Sequence, residues 1–124
     1  MAVSQSFLEF VLGQLEPLGE VTARRMFGGA GLYQADVFFA VVDNDTVFFK
    51  VDDESVEAYR KAGMPPWRPY PDKPASSRYR QLPVTVLEDG DELVRWAGRA
   101  VEAGRASRRR PTKRRRNARK RTSV

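Results

Sequence analysis

The chain has 124 residues, a length that predicts one domain built around a single hydrophobic core. It contains neither cysteine nor histidine, which excludes disulfides, thiolate nucleophiles and zinc or haem sites built on those side chains, and removes the commonest general base. Its charge is divided unevenly: residues 1–104 carry 11 basic and 16 acidic side chains, a net of −5, whereas residues 105–124 carry 11 basic and no acidic ones. The overall charge of +6 therefore describes the C-terminus and not the body of the protein.

The N-terminal residues predict an amphipathic helix over 6–18, because their apolar side chains recur at steps of three and four. Ser6 and Glu9 match a capping box at its start, and Pro17 and Gly19 are expected to end it. No basic region precedes these apolar residues, and no apolar run in the chain approaches about 20 residues. We therefore predict neither a signal peptide nor a membrane span, and a cytoplasmic location.

Strand-like segments follow. Residues 21–27 alternate with a period of two, which predicts a strand whose Arg24 and Arg25 point to opposite faces. Residues 37–51 combine two runs of aromatic and β-branched residues with a turn-forming Asp-Asn-Asp at 43–45. This pattern predicts an antiparallel hairpin.

The second half of the domain predicts further elements of both kinds. In chain order they are a helix over about 54–62 capped by Asp52 or Asp53, a loop over 64–76 that contains five prolines, a short strand over 79–82, and a helix that opens at Asp89 with Glu92 and ends near Gly104. Short turns between successive strands favour antiparallel pairing. The predicted fold is therefore α+β, a two-layer arrangement with an antiparallel sheet and helices packed on one face, in the order α-β-β-β-β-α-β-α.

RRMFGGAGLY is the most distinctive stretch within the domain, and its structural residues are Met26, Phe27, Gly28, Gly29 and Gly31. Neither a G-x-G-x-x-G pattern nor a Gly-Lys-Ser/Thr sequence is present, and no helix is predicted to begin after these glycines. A phosphate-binding loop is therefore less favoured than a structural use, in which glycine provides a positive φ or a bulge between two strands.

Charged residues of the domain offer little that predicts catalysis. The aspartates at positions 43, 45, 52 and 53 are predicted to lie at turns and helix caps, where carboxylates accept backbone hydrogen bonds. Their spacing does not match the calcium-binding loop of an EF-hand. We predict no catalytic residue, no enzyme activity, no metal site and no cofactor. Internal pairing with carboxylates is the favoured role for the domain's arginines, and a secondary patch for phosphate is the alternative. That patch would consist of Arg24, Arg25, Arg78 and Arg80.

Residues 105–124, called here the basic segment, are predicted to be disordered alone and to bind nucleic acid. Closely spaced arginine and lysine side chains displace counterions from phosphates, so the predicted binding is independent of base sequence. DNA is expected as the partner rather than RNA. No aromatic residue interrupts the segment, so base stacking is not expected there. The residues predicted to contact phosphates are Arg105, Arg108, Arg109, Arg110, Lys113, Arg114, Arg115, Arg116, Arg119, Lys120 and Arg121. The alternative is a solubilising extension on a protein-interaction module.

The ordered combination of RRMFGGAGLY, FFAVV, VFFKVDD and LEDGDELVRWAGRAVEAG resembles the N-terminal domain of the TfoX/Sxy competence-regulator family, over about residues 7–104. This resemblance implies a small α+β domain in a bacterial regulator of transcription. Family members with a known role are coactivators of DNA-uptake genes that work with a cyclic-AMP receptor protein, so a transcription-factor partner is expected; a homodimer stays open. The family commonly has an Asp-Gly turn where this chain has Ala35 and Asp36, which predicts a positive φ at Asp36.

Overall fold

The computed structural model describes residues 4–26 and 28–109, with the backbone alone at Arg108 and Arg109. In chain order, the described elements are α1 (Gln5–Gln14), a 3-10 turn (Glu16–Leu18), β1 (Val21–Met26), β2 (Gly29–Gln34), β3 (Val37–Asp43), β4 (Thr46–Lys50), α2 (Val56–Lys61), β5 (Tyr79–Gln81), α3 (Val84–Leu87) and α4 (Gly90–Arg109). The predicted α+β class is confirmed. The short helix α3 was not predicted, because a single turn of helix has no period for a sequence pattern to reveal.

The strands form one antiparallel sheet in the order β1-β2-β3-β4-β5, so each strand pairs with its neighbour in sequence. The proline-rich loop covers the outer edge of β5. There the Trp67 N–H donates to the Tyr79 carbonyl at 3.0 Å, and the Gln81 N–H donates to the Pro65 carbonyl at 2.9 Å. An edge covered in this way cannot pair with another chain.

Helices α1 and α4 pack on the same face of the sheet and enclose the core with it. Paired residues share a face, so the register of Ala30 with Val42 and of Val42 with Val47 places all three toward the helices. These three belong to one buried cluster with Val11 of α1 and Leu93 of α4. The helix-covered face is therefore the hydrophobic core of the protein.

Helix α1 begins earlier than the sequence pattern predicts. Its N-cap is Ser4, whose Oγ accepts a hydrogen bond from the Phe7 N–H at 3.2 Å, so the predicted capping box at Ser6 is wrong. The Ser4 N–H donates in turn to Asp45 Oδ1 at 2.8 Å. A contact with the β3–β4 turn thus fixes the start of the helix, and such a tertiary contact is invisible in a local motif.

Helix α4 is longer than predicted. Its start agrees with the prediction, because Asp89 Oδ1 accepts a hydrogen bond from the Glu92 N–H at 3.2 Å. Its end does not, since the helix continues past Gly104 to Arg109. A Cβ atom at Gly104 would lie 2.7 Å from the Phe38 carbonyl oxygen and 2.8 Å from a Val37 methyl carbon. Glycine here serves a close approach of helix to strand and does not stop the helix.

Two turns of the sheet use left-handed backbone. The predicted β3–β4 hairpin is confirmed, and its turn places Asn44 at φ 55° and Asp45 at φ 53°, as a two-residue turn with both φ values positive requires. In the β2–β3 turn the positive φ of 56° belongs to Ala35 and not to Asp36. The prediction for Asp36 is therefore wrong. The Ala35 N–H donates to the Glu20 carbonyl at 2.9 Å, which helps to hold this conformation.

Candidate nucleic-acid interface

The glycines of the RRMFGGAGLY stretch meet local steric demands. Gly28 has φ 82°, in the region that side chains disfavour. A Cβ at Gly29 would collide with the Val42 carbonyl oxygen, and one at Gly31 would lie 2.6 Å from Met26 Cε and 2.8 Å from Phe38 Cε1. Phe27 lies outside the described residues. The described glycines thus have steric reasons for their identity that involve no ligand.

The structure does not gather the four arginines of the predicted secondary patch. Arg24 and Arg25 lie on opposite faces of β1, as the alternation predicts: the Arg24 Cζ is 5.3 Å from the centre of the Tyr33 ring, and Arg25 Nη2 donates to Gln5 Oε1 of α1 at 2.7 Å. Arg80 Nη1 donates to the Met64 carbonyl at 2.9 Å, and Arg78 Nη1 to Ser107 Oγ at 3.4 Å. Since β2, β3 and β4 lie between β1 and β5, the two pairs are roughly 19 Å apart.

Aromatic side chains cover the face of the sheet that is opposite the helices. Tyr33 and Phe38 are stacked with ring centres 5.1 Å apart, and Phe38 lies 5.8 Å from Tyr79. Trp67 meets Tyr79 edge-on at 5.7 Å and Phe48 at 6.1 Å. These five residues are called the aromatic face. Four of them are partly exposed and Tyr79 is buried, so the rings form a continuous apolar surface that still meets solvent.

A β-bulge helps to produce this arrangement. The register between β2 and β3 shifts between Leu32 and Tyr33, so that Leu32 pairs with Ala40 whereas Tyr33 pairs with Phe38. Phe39 is the extra residue, and it is fully buried in the core with Ala40. Because the bulge places two successive side chains toward the helices, Phe38 can join Tyr33 on the opposite face.

Two cations border the rings of the aromatic face. The Arg24 guanidinium lies over Tyr33, and Lys50 Nζ is 5.2 Å from the centre of the Tyr79 ring. Both distances are within the range of cation–π attraction. Burial raises the pKa of Tyr79 to about 12, against the opposing charge of Arg78, so its hydroxyl stays neutral at physiological pH. The face therefore combines neutral rings with positive charge.

Trp67 is fixed by its polar atom as well as by its ring. Its Nε1–H donates to Asp43 Oδ2 at 3.1 Å, which ties the proline-rich loop to the end of β3. A hydrogen-bonded indole keeps one orientation, because a buried or half-buried N–H without a partner is unfavourable. The loop thus contributes an oriented ring to the sheet surface.

The basic segment begins on the helix-covered side of the sheet. Gly104 contacts the backbone of Phe38, and Ser107 accepts the hydrogen bond from Arg78, the residue before Tyr79. Arg105 forms an exposed ion pair with Glu102 at 3.6 Å. Arg108 and Arg109 continue α4, and the remaining basic residues, from Arg110 to Arg121, lie outside the described range.

Asp52 lies in the turn before α2, whose N-cap is Ser55 and has no side-chain capping hydrogen bond, so the prediction that Asp52 or Asp53 caps this helix is wrong. Asp52 Oδ1 accepts hydrogen bonds from the Ser55 N–H at 2.7 Å and the Glu54 N–H at 3.0 Å. The bond from the Ser55 backbone is the main cause that lowers the pKa of Asp52 below its usual value. Within residues 4–26 and 28–109, no group of three or more acids is arranged to hold a metal ion. Over the same residues, none of the helices combines the length and apolarity needed to cross a bilayer.

Sequence reasoning missed the aromatic face, although a signal for it existed. Both Phe38-Phe39 and Phe48-Phe49 place adjacent phenylalanines in predicted strands. Side chains alternate in a strand, so one phenylalanine of such a pair tends to face away from the layer that covers the other. In the structure Phe39 and Phe49 are fully buried beneath the helices, whereas Phe38 and Phe48 belong to the aromatic face.

Comparison with known proteins gives one family. A model described as the TfoX N-terminal domain matches residues 13–104. No curated protein matches the chain in sequence. The matched range includes every strand of the sheet, and it ends at the residue before the basic segment begins.

Proposed function

The chain belongs to the TfoX N-terminal domain family, and from that premise we propose that it is a regulatory protein that associates with nucleic acid through the basic segment. The family is regulatory and is not a known enzyme family. In this proposal residues 1–104 form the family domain, and residues 105–124 supply most of the affinity. Transcription is the process that we propose it regulates, in the cytoplasm of a bacterial cell and in contact with a transcription-factor protein.

The observation that carries this proposal is where the charge changes. The family match ends at residue 104, and the next 20 residues carry 11 basic side chains and no acid. The domain before them has a net charge of −5, so most of the attraction for a polyanion must come from the basic segment. Positive charge is thus concentrated in the segment that follows the family domain.

Binding through such a segment depends on displaced counterions. If about six to ten cations engage phosphates, affinity for duplex DNA falls by roughly 10³ to 10⁵ between 50 and 200 mM salt. This binding reads the backbone and not the bases, so the expected affinity is nearly independent of sequence. Any choice of promoter would then come from a protein partner of the domain.

A salt series on the full chain tests the proposal. The wild-type protein and a variant with glutamine at all eight basic positions from Arg110 to Arg121 would be titrated with one duplex by fluorescence anisotropy. We expect wild type to show a steep negative slope of log affinity against log salt, and the variant to lose most of the affinity and of the slope. A slope near zero in wild type, or equal affinities, would refute the role of the segment.

A protein-interaction module is the second candidate, and exposed apolar side chains support it. Phe10 of α1 is 44% exposed and Val84 of α3 is 58% exposed. Gln14 Nε2 donates to the Leu87 carbonyl at 3.0 Å and joins the two helices. Under this alternative, Phe10→Ser with Val84→Ser would abolish capture of a partner, and the glutamine variant of the basic segment would still capture it.

A further inference from the structure

We propose that the aromatic face binds single-stranded nucleic acid, with bases stacking on its rings while Arg24 and Lys50 contact the phosphates. This inference rests on the proposed function, since it assumes the same polyanionic partner. It adds a second contact surface and names the form of nucleic acid that the surface selects.

The first reason is the kind of side chain on this face. The uncovered face of an antiparallel sheet is ordinarily polar, because it meets water. Here it carries Tyr33, Phe38, Phe48 and Trp67, all partly exposed. None of the four belongs to the buried cluster beneath the helices. Every base has a flat apolar surface, and aromatic rings of this kind stack on it regardless of sequence.

The second reason is the charge that accompanies the rings. A protein partner with an apolar surface would not require cations over the aromatic rings, whereas a nucleic-acid strand presents a phosphate beside every base. Arg24 and Lys50 lie over two different rings, Tyr33 and Tyr79, near the two sides of the stacked Tyr33–Phe38 pair. Asp43 also borders this face, where its Oδ2 accepts the hydrogen bond from Trp67 Nε1.

The third reason concerns the form of the nucleic acid. Stacking on an aromatic ring requires a base whose flat surface is accessible. In a duplex the bases are stacked on each other and unavailable to these rings, so the aromatic face favours a single strand.

Tryptophan fluorescence of the full chain tests for stacking. Trp96 packs against Tyr59 beneath the sheet, so Trp96→Phe leaves Trp67 as the sole tryptophan. We expect a single-stranded oligothymidylate to quench Trp67, and a mixed-sequence duplex of the same length to leave its emission nearly unchanged. Equal quenching by both probes, or quenching by neither, would overturn the proposal.

Matched charge variants then locate the contact. Arg24→Gln with Lys50→Gln removes two cations from the aromatic face, and Arg60→Gln with Arg95→Gln removes two exposed cations from α2 and α4. The first variant is expected to reduce the single-strand salt slope by about 1.4, at 0.7 for each lost phosphate contact, and the control variant to leave it unchanged. The same change in both variants would contradict the proposed surface.

Removal of a ring gives the third measurement. Tyr33→Ala is expected to weaken single-strand binding about tenfold, because one stacked base is lost, and to change duplex binding less than twofold. Unchanged single-strand affinity in a folded Tyr33→Ala protein would argue against stacking. If the Tyr33→Ala protein does not fold, the charge variants at Arg24 and Lys50 test the proposed surface instead. Should the glutamine variant of residues 110–121 lose duplex binding while these variants change nothing, the proposed function would stand and this inference would fail.

Discussion

The two faces of the sheet bury apolar side chains of different kinds and to different extents. Toward the helices, Leu32, Val42 and Phe49 are fully buried in a cluster with residues of α1 and α4. On the opposite face, partly exposed aromatic rings lie beneath two cations and no helix. The first face is built to exclude water and stabilise the fold. The second keeps apolar area in contact with solvent, which costs stability and is typical of a binding surface.

Phe48 and Phe49 test this difference most directly, because they are adjacent in β4 and point to opposite faces of the sheet. Phe49→Ala is expected to cost about 3–5 kcal/mol, since it opens a cavity among residues that cannot collapse fully. Phe48→Ala should cost about 1–2 kcal/mol, because that ring is already partly hydrated. Urea denaturation measures both, and equal losses would show that the faces do not differ in this way.

Two glycines of α4 test how closely the helix layer must approach the sheet. Gly104→Ala is expected to cost about 1–3 kcal/mol, because the new methyl group would press on the Phe38 carbonyl oxygen and the Val37 side chain. Gly98→Ala is the matched control: nothing lies within 4 Å of its Cβ, so it should gain about 0.5–1 kcal/mol from helix propensity. A gain at both positions, measured by urea denaturation, would mean that α4 does not need to pack closely at Phe38.

Asp52 lies in the turn before α2, so its substitution leaves both faces of the sheet intact. Asp52→Asn is expected to cost up to about 1 kcal/mol at neutral pH, because it weakens the hydrogen bonds that Asp52 Oδ1 accepts from the Ser55 and Glu54 N–H groups. Because the folded pKa of Asp52 lies below its unfolded value, its contribution is complete above about pH 4 and is lost as pH falls through the folded pKa.

Unfolding free energies between pH 2 and 7 check the assignment to Asp52. The difference between wild type and Asp52→Asn should shrink on acidification, and the neighbouring Asp53→Asn should show a smaller difference throughout. A gap between wild type and Asp52→Asn that stays constant down to pH 2 would contradict the assignment.

Ala35 gives the smallest expected effect. Its backbone has φ 56°, and a side chain in this conformation destabilises the folded state by about 1–2 kcal/mol. Glycine would relieve this strain, but its more flexible unfolded chain would cost about 0.5–1 kcal/mol of entropy on folding. Ala35→Gly should therefore gain about 0.5 kcal/mol in thermal unfolding. Ala58→Gly, in the exposed part of α2, should lose about 1 kcal/mol. A loss at Ala35 would mean that its backbone is not strained.

Elements with a strong local signal were predictable from the sequence. The hairpin of β3 and β4 followed from aromatic and β-branched runs around a turn, and the start of α4 followed from Asp89 and Glu92. The start of α1 was not predictable, because it depends on the contact of Ser4 with Asp45, which is distant in sequence. The basic segment was evident as a candidate site from charge alone, whereas the aromatic face requires the register of β2 with β3.

The division between an acidic domain and a basic segment, the α+β class and the positions of most strands follow from the sequence, because composition, alternation and turn residues act over a few neighbours. Which phenylalanine of each pair is buried, and which partners Arg24 and Arg25 have, depended on the tertiary structure. The physical reason is that a sheet joins residues far apart in the chain, and a single bulge changes which of them share a face.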